Sequence, residues 1–419
     1  KMEKIIIEGG KALEGKVKTS GSKNSALPIL AATIVSGNKY QIENVPEISD
    51  VFTMLKLLET LGAEYSFKDN VVLIDTEKIT KHEAPYELVK TMRASVLIWG
   101  SLLSRLGKAK ISFPGGCAIG DRPVDQHLNG FHALGYQTKI NSGYLESVSS
   151  KNTGGDFSFE IKSVTGTENL ILCSVFAKTK TMLSNCAMEP EIDDLINFLN
   201  SLGAKITRRG GNITISPVSG FYKQKSPHIV IPDRIEAGTF LFLGCIPGNK
   251  IDITNCTPED LKETIKIVKK MGAKIETSKT GIKVTSASRI QPLEVETNPH
   301  PLFPTDLQAQ LMAVLTLADG KSTIVENVFP NRFIHIAELR KLGAKINLSA
   351  NKAEITGVNG LIGANMQASD LRASSCLLIS ALSAKGKSEV HRIYHLDRGY
   401  ESINNKLKII GANIWRTKE

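Results

Sequence analysis

The chain has 419 residues, with 52 Lys and Arg against 42 Asp and Glu, a net charge of +10. That length calls for at least two domains of roughly 100–200 residues each, and a hydrophobic content of 41% supplies their cores, which excludes intrinsic disorder. The longest apolar runs, 29–35 and 96–103, fall well short of the ~20 residues of a membrane span, and the dispersed lysines draw no stripe for nucleic acid.

In chain order, the first segment, Glu3-Lys4-Ile5-Ile6-Ile7, has an early acid and only three consecutive apolar positions, so it is not expected to be a secretory signal. A helix that is apolar nearly all round is expected at 26–35. Others of its kind return at 94–106, 170–177, 237–246, 307–317 and 373–384. Such helices are buried ones. A β-branched strand follows, as at 250–253 and 322–325, then a polar loop, an amphipathic helix and a glycine.

The glycines are Gly62, Gly135, Gly203, Gly272, Gly343 and Gly411, which by subtraction are 73, 68, 69, 71 and 68 residues apart. Each closes a run such as Leu195, Phe198, Leu199 and Leu202, where a helix needs a left-handed C-terminal residue. Alternating residues with a turn come next, as in 204–207 with 210–215 or 274–276 with 281–284, and read as β-hairpins.

Six such units fill the chain. None buries its faces alone, so they are expected to pack in two groups of three, apolar helices inside and sheets outside. The stretch 226–232, with Pro227 and Pro232, reads as a linker between the groups. A fixed period is also the mark of an elongated solenoid scaffold, and only chemistry separates the two.

Every unit offers two helix N-termini, where exposed N–H groups and the helix dipole favour anions. The unusual polar residues gather there. Entering the first helices stand Lys23-Asn24, Arg93, Asp233-Arg234, Asp306, and Asp370 with Arg372; before the second helices stand Cys117 to Asp125, Glu189 and Glu191, Arg332, and Asp397-Arg398. Their shared address predicts one convergent site. Asp233, Asp306 and Asp370 also have a plainer reading as helix caps.

The loop Pro114-Gly115-Gly116-Cys117-Ala118-Ile119-Gly120-Asp121-Arg122-Pro123 sets three glycines around a thiol beside Arg122, a setting that lowers a cysteine pKa. Cys173, Cys245 and Cys376, within apolar helices, read as small hydrophobes. There is no Gly-x-Ser-x-Gly elbow, phosphate loop, dinucleotide fingerprint, Cys-x-x-Cys pair or His-Glu-x-x-His motif, so neither a metal nor a cofactor is expected. Of the histidines, only His127 and His395 fall near these loops, and each is ordinarily structural.

Lys23-Asn24, the run from Gly115 to Asp125, Pro304-Thr305-Asp306-Leu307-Gln308, Asn331-Arg332-Phe333, Asp370-Leu371-Arg372-Ala373 and Asp397-Arg398-Gly399-Tyr400-Glu401 span the whole chain. Together they resemble the UDP-N-acetylglucosamine 1-carboxyvinyltransferases, the enolpyruvyl transferases of peptidoglycan synthesis. The resemblance implies an α/β fold, an inside-out α/β barrel in two domains of three βαβαββ units. The domains would be 22–230, carrying the Cys117 loop, and 1–21 with 231–419, with the active site in the cleft between them.

It also implies transfer of the enolpyruvyl group of phosphoenolpyruvate to the 3-hydroxyl of UDP-N-acetylglucosamine by addition and elimination, releasing phosphate. This would be the first committed step of peptidoglycan precursor synthesis, performed in the cytoplasm by a monomer with no nucleic-acid or membrane partner. By the same resemblance Cys117 is the general acid, Asp306 the base for the sugar hydroxyl, and Lys23 and Arg398 complete the catalytic set.

Lys23, Asn24, Arg93, Arg122, Arg332, Arg372 and Arg398 would hold phosphoenolpyruvate. Asn24, Arg93, Arg122, Pro123, Val124, Asp125, Gln126, Lys162, Ser163, Val164, Asp306 and Val328 would hold the nucleotide sugar. Leu97 stands where some relatives carry tryptophan, and Thr165 where glycine is usual. Fosfomycin, an epoxide that alkylates the family's cysteine, is expected to inactivate the chain. The runner-up is the sister transferase acting on shikimate 3-phosphate, which lacks the Gly-Gly-Cys loop. An RNA-binding relative would need aromatic stacking platforms, and only 6% of residues are aromatic.

Overall fold

Glycine decides where each repeat turns. In the computed structural model, which describes residues 2–90, 92, 96–112, 124–149 and 151–419, Gly62, Gly135, Gly203, Gly272, Gly343 and Gly411 all have positive φ, from 92° to 121°. A side chain resists that backbone, so the amphipathic helices Ser49–Leu61, Asp125–Ala133, Pro190–Ser201, Lys262–Lys270, His335–Lys341 and Ile403–Ile409 end just before them.

The six apolar helices run Lys23–Ala32, Ile98–Leu106, Val164–Ser174, Arg234–Gly244, Gln308–Leu315 and Leu371–Ser383. Every residue of Arg234–Gly244 and of Gln308–Leu315 is buried. All six begin one to six residues away from where the apolar pattern puts them, and two show why. The helix expected at 170–177 starts at Val164, because Ser163 accepts from the Gly166 N–H at 3.0 Å and its first two turns bury Thr167, Glu168 and Asn169. The one expected at 307–317 opens as a 3-10 turn, Thr305–Leu307.

The described residues fall into two compact units, 2–20 with 232–419, and those between 21 and 231. Each has its own apolar core. In the first, Arg234–Gly244, Gln308–Leu315 and Leu371–Ser383 pack on one another within three four-stranded sheets. In the second, Ile98–Leu106 packs on both Lys23–Ala32 and Val164–Ser174, within two four-stranded sheets and one of three strands that the bridge Glu83–Lys110 extends. Both are inside-out α/β barrels, helices within and sheets around them.

Two edges depart from the simple repeat. After Gly411 only one strand, Asn413–Lys418, remains, and the expected sixth hairpin is absent. Its partner comes from the other end of the chain. Glu3–Gly9 lies antiparallel between Gly386–His391 and Asn413–Lys418, with Ile5 opposite Val390 on one side and Arg416 on the other. Fully buried Ile5 and Ile7 contribute about 1.5–3 kcal/mol each to that seat.

The expected linker is likewise partly built in. His228–Ile229 pairs parallel with Lys39–Glu43, and His228 Nε2 lies 2.9 Å from Asp194 Oδ1. The two prolines mask a strand too short for its alternation to show.

Candidate active site

Whether an acid at a helix start is a cap depends on where its oxygens point. Asp233 accepts from the N–H groups of Ile235 at 2.9 Å and Glu236 at 3.0 Å, and Asp370 from those of Arg372 at 2.9 Å and Ala373 at 3.0 Å. Both are N-caps. Asp306 is not. It sits inside the turn Thr305–Leu307 with Arg332 Nη1 at 2.8 Å from Oδ1 and Arg372 Nη2 at 3.1 Å from Oδ2. The arginine side chains are 8% and 6% exposed and the aspartate 30%, so the acid is the open face of a buried cationic pair.

A polar ring fixes this cluster across three repeats. Gln310 donates to the Asp306 carbonyl at 3.0 Å and to Thr239 Oγ1 at 3.2 Å; Thr239 Oγ1 meets the Tyr400 hydroxyl at 2.8 Å; and the Arg372 guanidinium stands 6.0 Å above the Tyr400 ring. Burial opposes the charge on Arg372, but Asp306, Tyr400 and Asp233 outweigh it and hold the guanidinium pKa above its ordinary value. Burial, aided by Arg332, pushes His335 down to about 4 against the pull of Asp370. At neutral pH His335 is an uncharged imidazole.

Arg398 ends the 3-10 turn Ile393–Arg398, which lies between Arg392 and Ser402, both left-handed with φ of 57° and 48°. The turn is held from several sides. Arg416 grips Asp397 through two nitrogens at 3.0 and 2.5 Å, and Glu401 accepts from Ser20 Oγ at 2.9 Å. A Cβ on Gly399 would come within 2.5 Å of Leu371 Cδ2, so any larger residue there would make that leucine side chain shift for the turn to stay this close to the inner helix. The His395 pKa is lowered by burial and then by Arg398 and Arg392, with Asp370 opposing, which puts Arg398 and Asp370 around one imidazole.

In the other unit, Lys23 opens its inner helix behind the cap Ser22 and reaches Asp50 Oδ2 at 3.0 Å. Asn24, beside it, is half-buried. Ser25 donates to Asp194 Oδ2 at 2.5 Å, tying this helix start to Pro190–Ser201. Val124 is buried and Asp125 exposed at the start of Asp125–Ala133. Gln126 is spent on backbone: Nε2 donates to the Ile161 carbonyl at 2.8 Å, and Oε1 accepts from Glu160 at 2.7 Å and Ile161 at 3.1 Å. It thereby anchors the segment of Lys162, whose Nζ donates to the Cys186 carbonyl at 3.2 Å, and of Ser163 and Val164. Leu97 is buried, and Thr165 lies in the first turn of Val164–Ser174.

Arg93, Cys117, Arg122 and Pro123 lie outside the described residues. Cys173, Cys245 and Cys376 are buried as expected, with the Cys173 thiol pushed up to about 12 by burial. His127 is buried and stacked on Trp99.

Four buried polar residues carry no motif in the sequence: Asp50, Glu168, Glu326 and His335. Burial, and next the charges of Glu191 and Glu189, hold the Glu168 carboxyl well above the usual range. Nothing in sequence marks such a residue except a polar letter inside an apolar run.

The chain matches the family model described as EPSP synthase (3-phosphoshikimate 1-carboxyvinyltransferase) over residues 7–407. It is 44% identical to the UDP-N-acetylglucosamine 1-carboxyvinyltransferase of Myxococcus xanthus and 46% identical to that of Geotalea uraniireducens, each alignment covering 100% of both chains. Among solved structures it is similar to the enolpyruvyl transferase NikO from Streptomyces tendae, with a TM-score of 0.88 at 23% identity over 100% of this chain and 99% of that one. It is also similar to EPSP synthase from Acinetobacter baumannii, with a TM-score of 0.76 at 14% identity over 100% of both.

Proposed function

The chain belongs to the EPSP synthase family of enolpyruvyl transferases, and we propose that its reaction is the one its full-length relatives are named for. It is a transferase that moves the enolpyruvyl group of phosphoenolpyruvate to the 3-hydroxyl of UDP-N-acetylglucosamine and releases phosphate. The observation that carries the reading is Asp306, gripped by Arg332 and Arg372, in a chain alignable from end to end with those relatives.

Between two guanidinium groups Asp306 is a weak base. A substrate bearing a carboxylate and a phosphate offers Arg332 and Arg372 stronger partners, and as they turn to it the basicity of Asp306 rises. Asp306 then takes the proton of the sugar hydroxyl, whose oxygen bonds to C2 of phosphoenolpyruvate while Cys117 protonates C3. Breaking the bond from C2 to the phosphate oxygen, with loss of one proton from C3, restores the double bond. These steps balance without a redox cofactor.

Lys23, Asn24, Arg93, Arg122 and Arg398 share the anionic donor with Arg332 and Arg372. The nucleotide sugar falls to Asn24, Arg93, Arg122 to Asp125, Lys162 to Val164, Asp306 and Val328, with Gln126 supporting from behind. Peptidoglycan precursor synthesis in the cytoplasm, by a monomer, is the setting that fits this substrate.

Phosphate release from phosphoenolpyruvate tests the proposal. Release is expected with UDP-N-acetylglucosamine and lost in Cys117→Ala and in Asp306→Ala, while Cys173→Ala keeps it. Turnover with shikimate 3-phosphate instead would overturn the reading. Fosfomycin should label Cys117 once per chain and stop turnover, and an active enzyme left unlabelled by saturating compound counts against Cys117 as the acid.

A further inference from the structure

The geometry points to Glu326 as a positioning residue that sets the place of Asp306 with one carboxylate oxygen and that of the Val328 loop with the other. The inference rests on the reading of Asp306 as the base. Glu326 ends the strand Lys321–Glu326 and has no exposed surface. A carboxylate taken out of water is costly unless donors surround it. Here they do so on both sides.

Oε2 accepts from Thr297 Oγ1 at 2.7 Å and from the N–H groups of Val328 and Phe329, each at 2.9 Å. Oε1 accepts from Thr305 Oγ1 at 2.7 Å and Gln308 Nε2 at 3.4 Å. Those two donors lead directly to the reacting cluster. Thr305 Oγ1 receives Arg332 Nη1 at 3.2 Å, and Gln308 Nε2 also donates to the Arg332 carbonyl at 2.8 Å. One side of Glu326 therefore holds the turn of Asp306 together with Arg332, and the other holds the loop assigned to the nucleotide sugar.

The two sides can be separated by a change of one atom. Glutamine keeps a single acceptor oxygen, and its amide NH2 cannot face the N–H groups of Val328 and Phe329, so the oxygen must turn to them. The NH2 then meets Gln308 Nε2, a donor, and Thr305 Oγ1, which already receives Arg332. Glu326→Gln thus loosens the Asp306 side alone.

The test compares phosphate-release kinetics and amide exchange in Glu326→Gln, Thr305→Val, Thr305→Ser and Thr297→Val. Misplacing a reacting group by a fraction of an ångström to an ångström costs about 10- to 100-fold in kcat, which is the fall expected for Glu326→Gln and Thr305→Val, with KM for UDP-N-acetylglucosamine held within about threefold. Thr305→Ser should recover kcat. Thr297→Val should instead raise that KM more than it lowers kcat. In the substrate-free protein, Glu326→Gln should quicken exchange at 305–308 and leave Val328 and Phe329 protected. Equal kinetic losses in Glu326→Gln and Thr297→Val, or exchange that quickens evenly over both segments, overturns the proposal. A wild-type chain that releases no phosphate would overturn the function instead, and the exchange pattern would still decide the role of Glu326.

Discussion

Arg372 does three things at once: it caps one oxygen of Asp306, covers the Tyr400 ring and donates its backbone N–H to the Asp370 cap in the first turn of an inner helix. Lysine keeps the charge but not the planar fork, so Arg372→Lys should raise KM for phosphoenolpyruvate by roughly 10-fold or more and cost about 1–3 kcal/mol of stability, read by initial rates and urea melts. His335 gives a pH signature. The folded chain holds it at about 4, whereas an exposed imidazole titrates near ~6.5, so between those values the unfolded chain binds the extra proton. Its contribution is whole above about pH 6.5 and is lost as pH falls toward 4. Thermal melts from pH 7 to 4.5 should show a steeper fall for wild type than for His335→Gln, and parallel curves would sink that assignment. The common address of charges at helix starts made Asp306, Arg332 and Arg372 legible in sequence. That Asp233 and Asp370 cap while Asp306 pairs with arginine was not, because caps and ion pairs use the same residue type and differ only in where the oxygens point.

Strands show the same division between local and distant information. The period of the glycines is written locally, since a left-handed residue must follow each amphipathic helix whatever lies around it. The seat of Glu3–Gly9 is not: it replaces the missing half of the last hairpin, and its partners lie nearly the whole chain away. Close packing enforces that seat. A Cβ on Gly9 would fall 2.1 Å from the Ala381 carbonyl oxygen and 2.2 Å from that of Ala384, both backbone atoms that cannot swing aside. Gly9→Ala should therefore cost about 1–3 kcal/mol or more, with the strand pushed off Leu371–Ser383. Gly343 has φ of 98° but open space around it, so Gly343→Ala should cost only about 1 kcal/mol of backbone strain. Urea midpoints rank the two, and an equal loss would mean that conformation rather than contact governs both.

At the scale of the molecule, residues 21–231 interrupt the chain of the other unit, after Glu14–Lys18 and before Arg234–Gly244 in sequence. Within the 21–231 unit the Ser22 N–H donates to the Ile231 carbonyl at 2.8 Å, and within the other unit the Asp233 N–H donates to the Ser20 carbonyl at 2.9 Å. Each barrel therefore begins and ends at neighbouring points, and each core is built from its own residues. Residues 21–231 expressed alone should melt in one cooperative transition, since His228–Ile229 supplies the edge of the first sheet from within. Residues 232–419 alone should not, because Glu3–Gly9 and Glu14–Lys18 are strands of two of their sheets. Joining Ser20 to Asp233 through a two- or three-residue linker should restore the fold, and adding residues 2–20 as a free peptide should restore it at high concentration only, since the linker removes the entropic cost of bringing the strands together. Calorimetry on the four samples decides: a cooperative melt of 232–419 without its N-terminal strands would show that the sheets close by themselves and that the terminal strands only cover an edge.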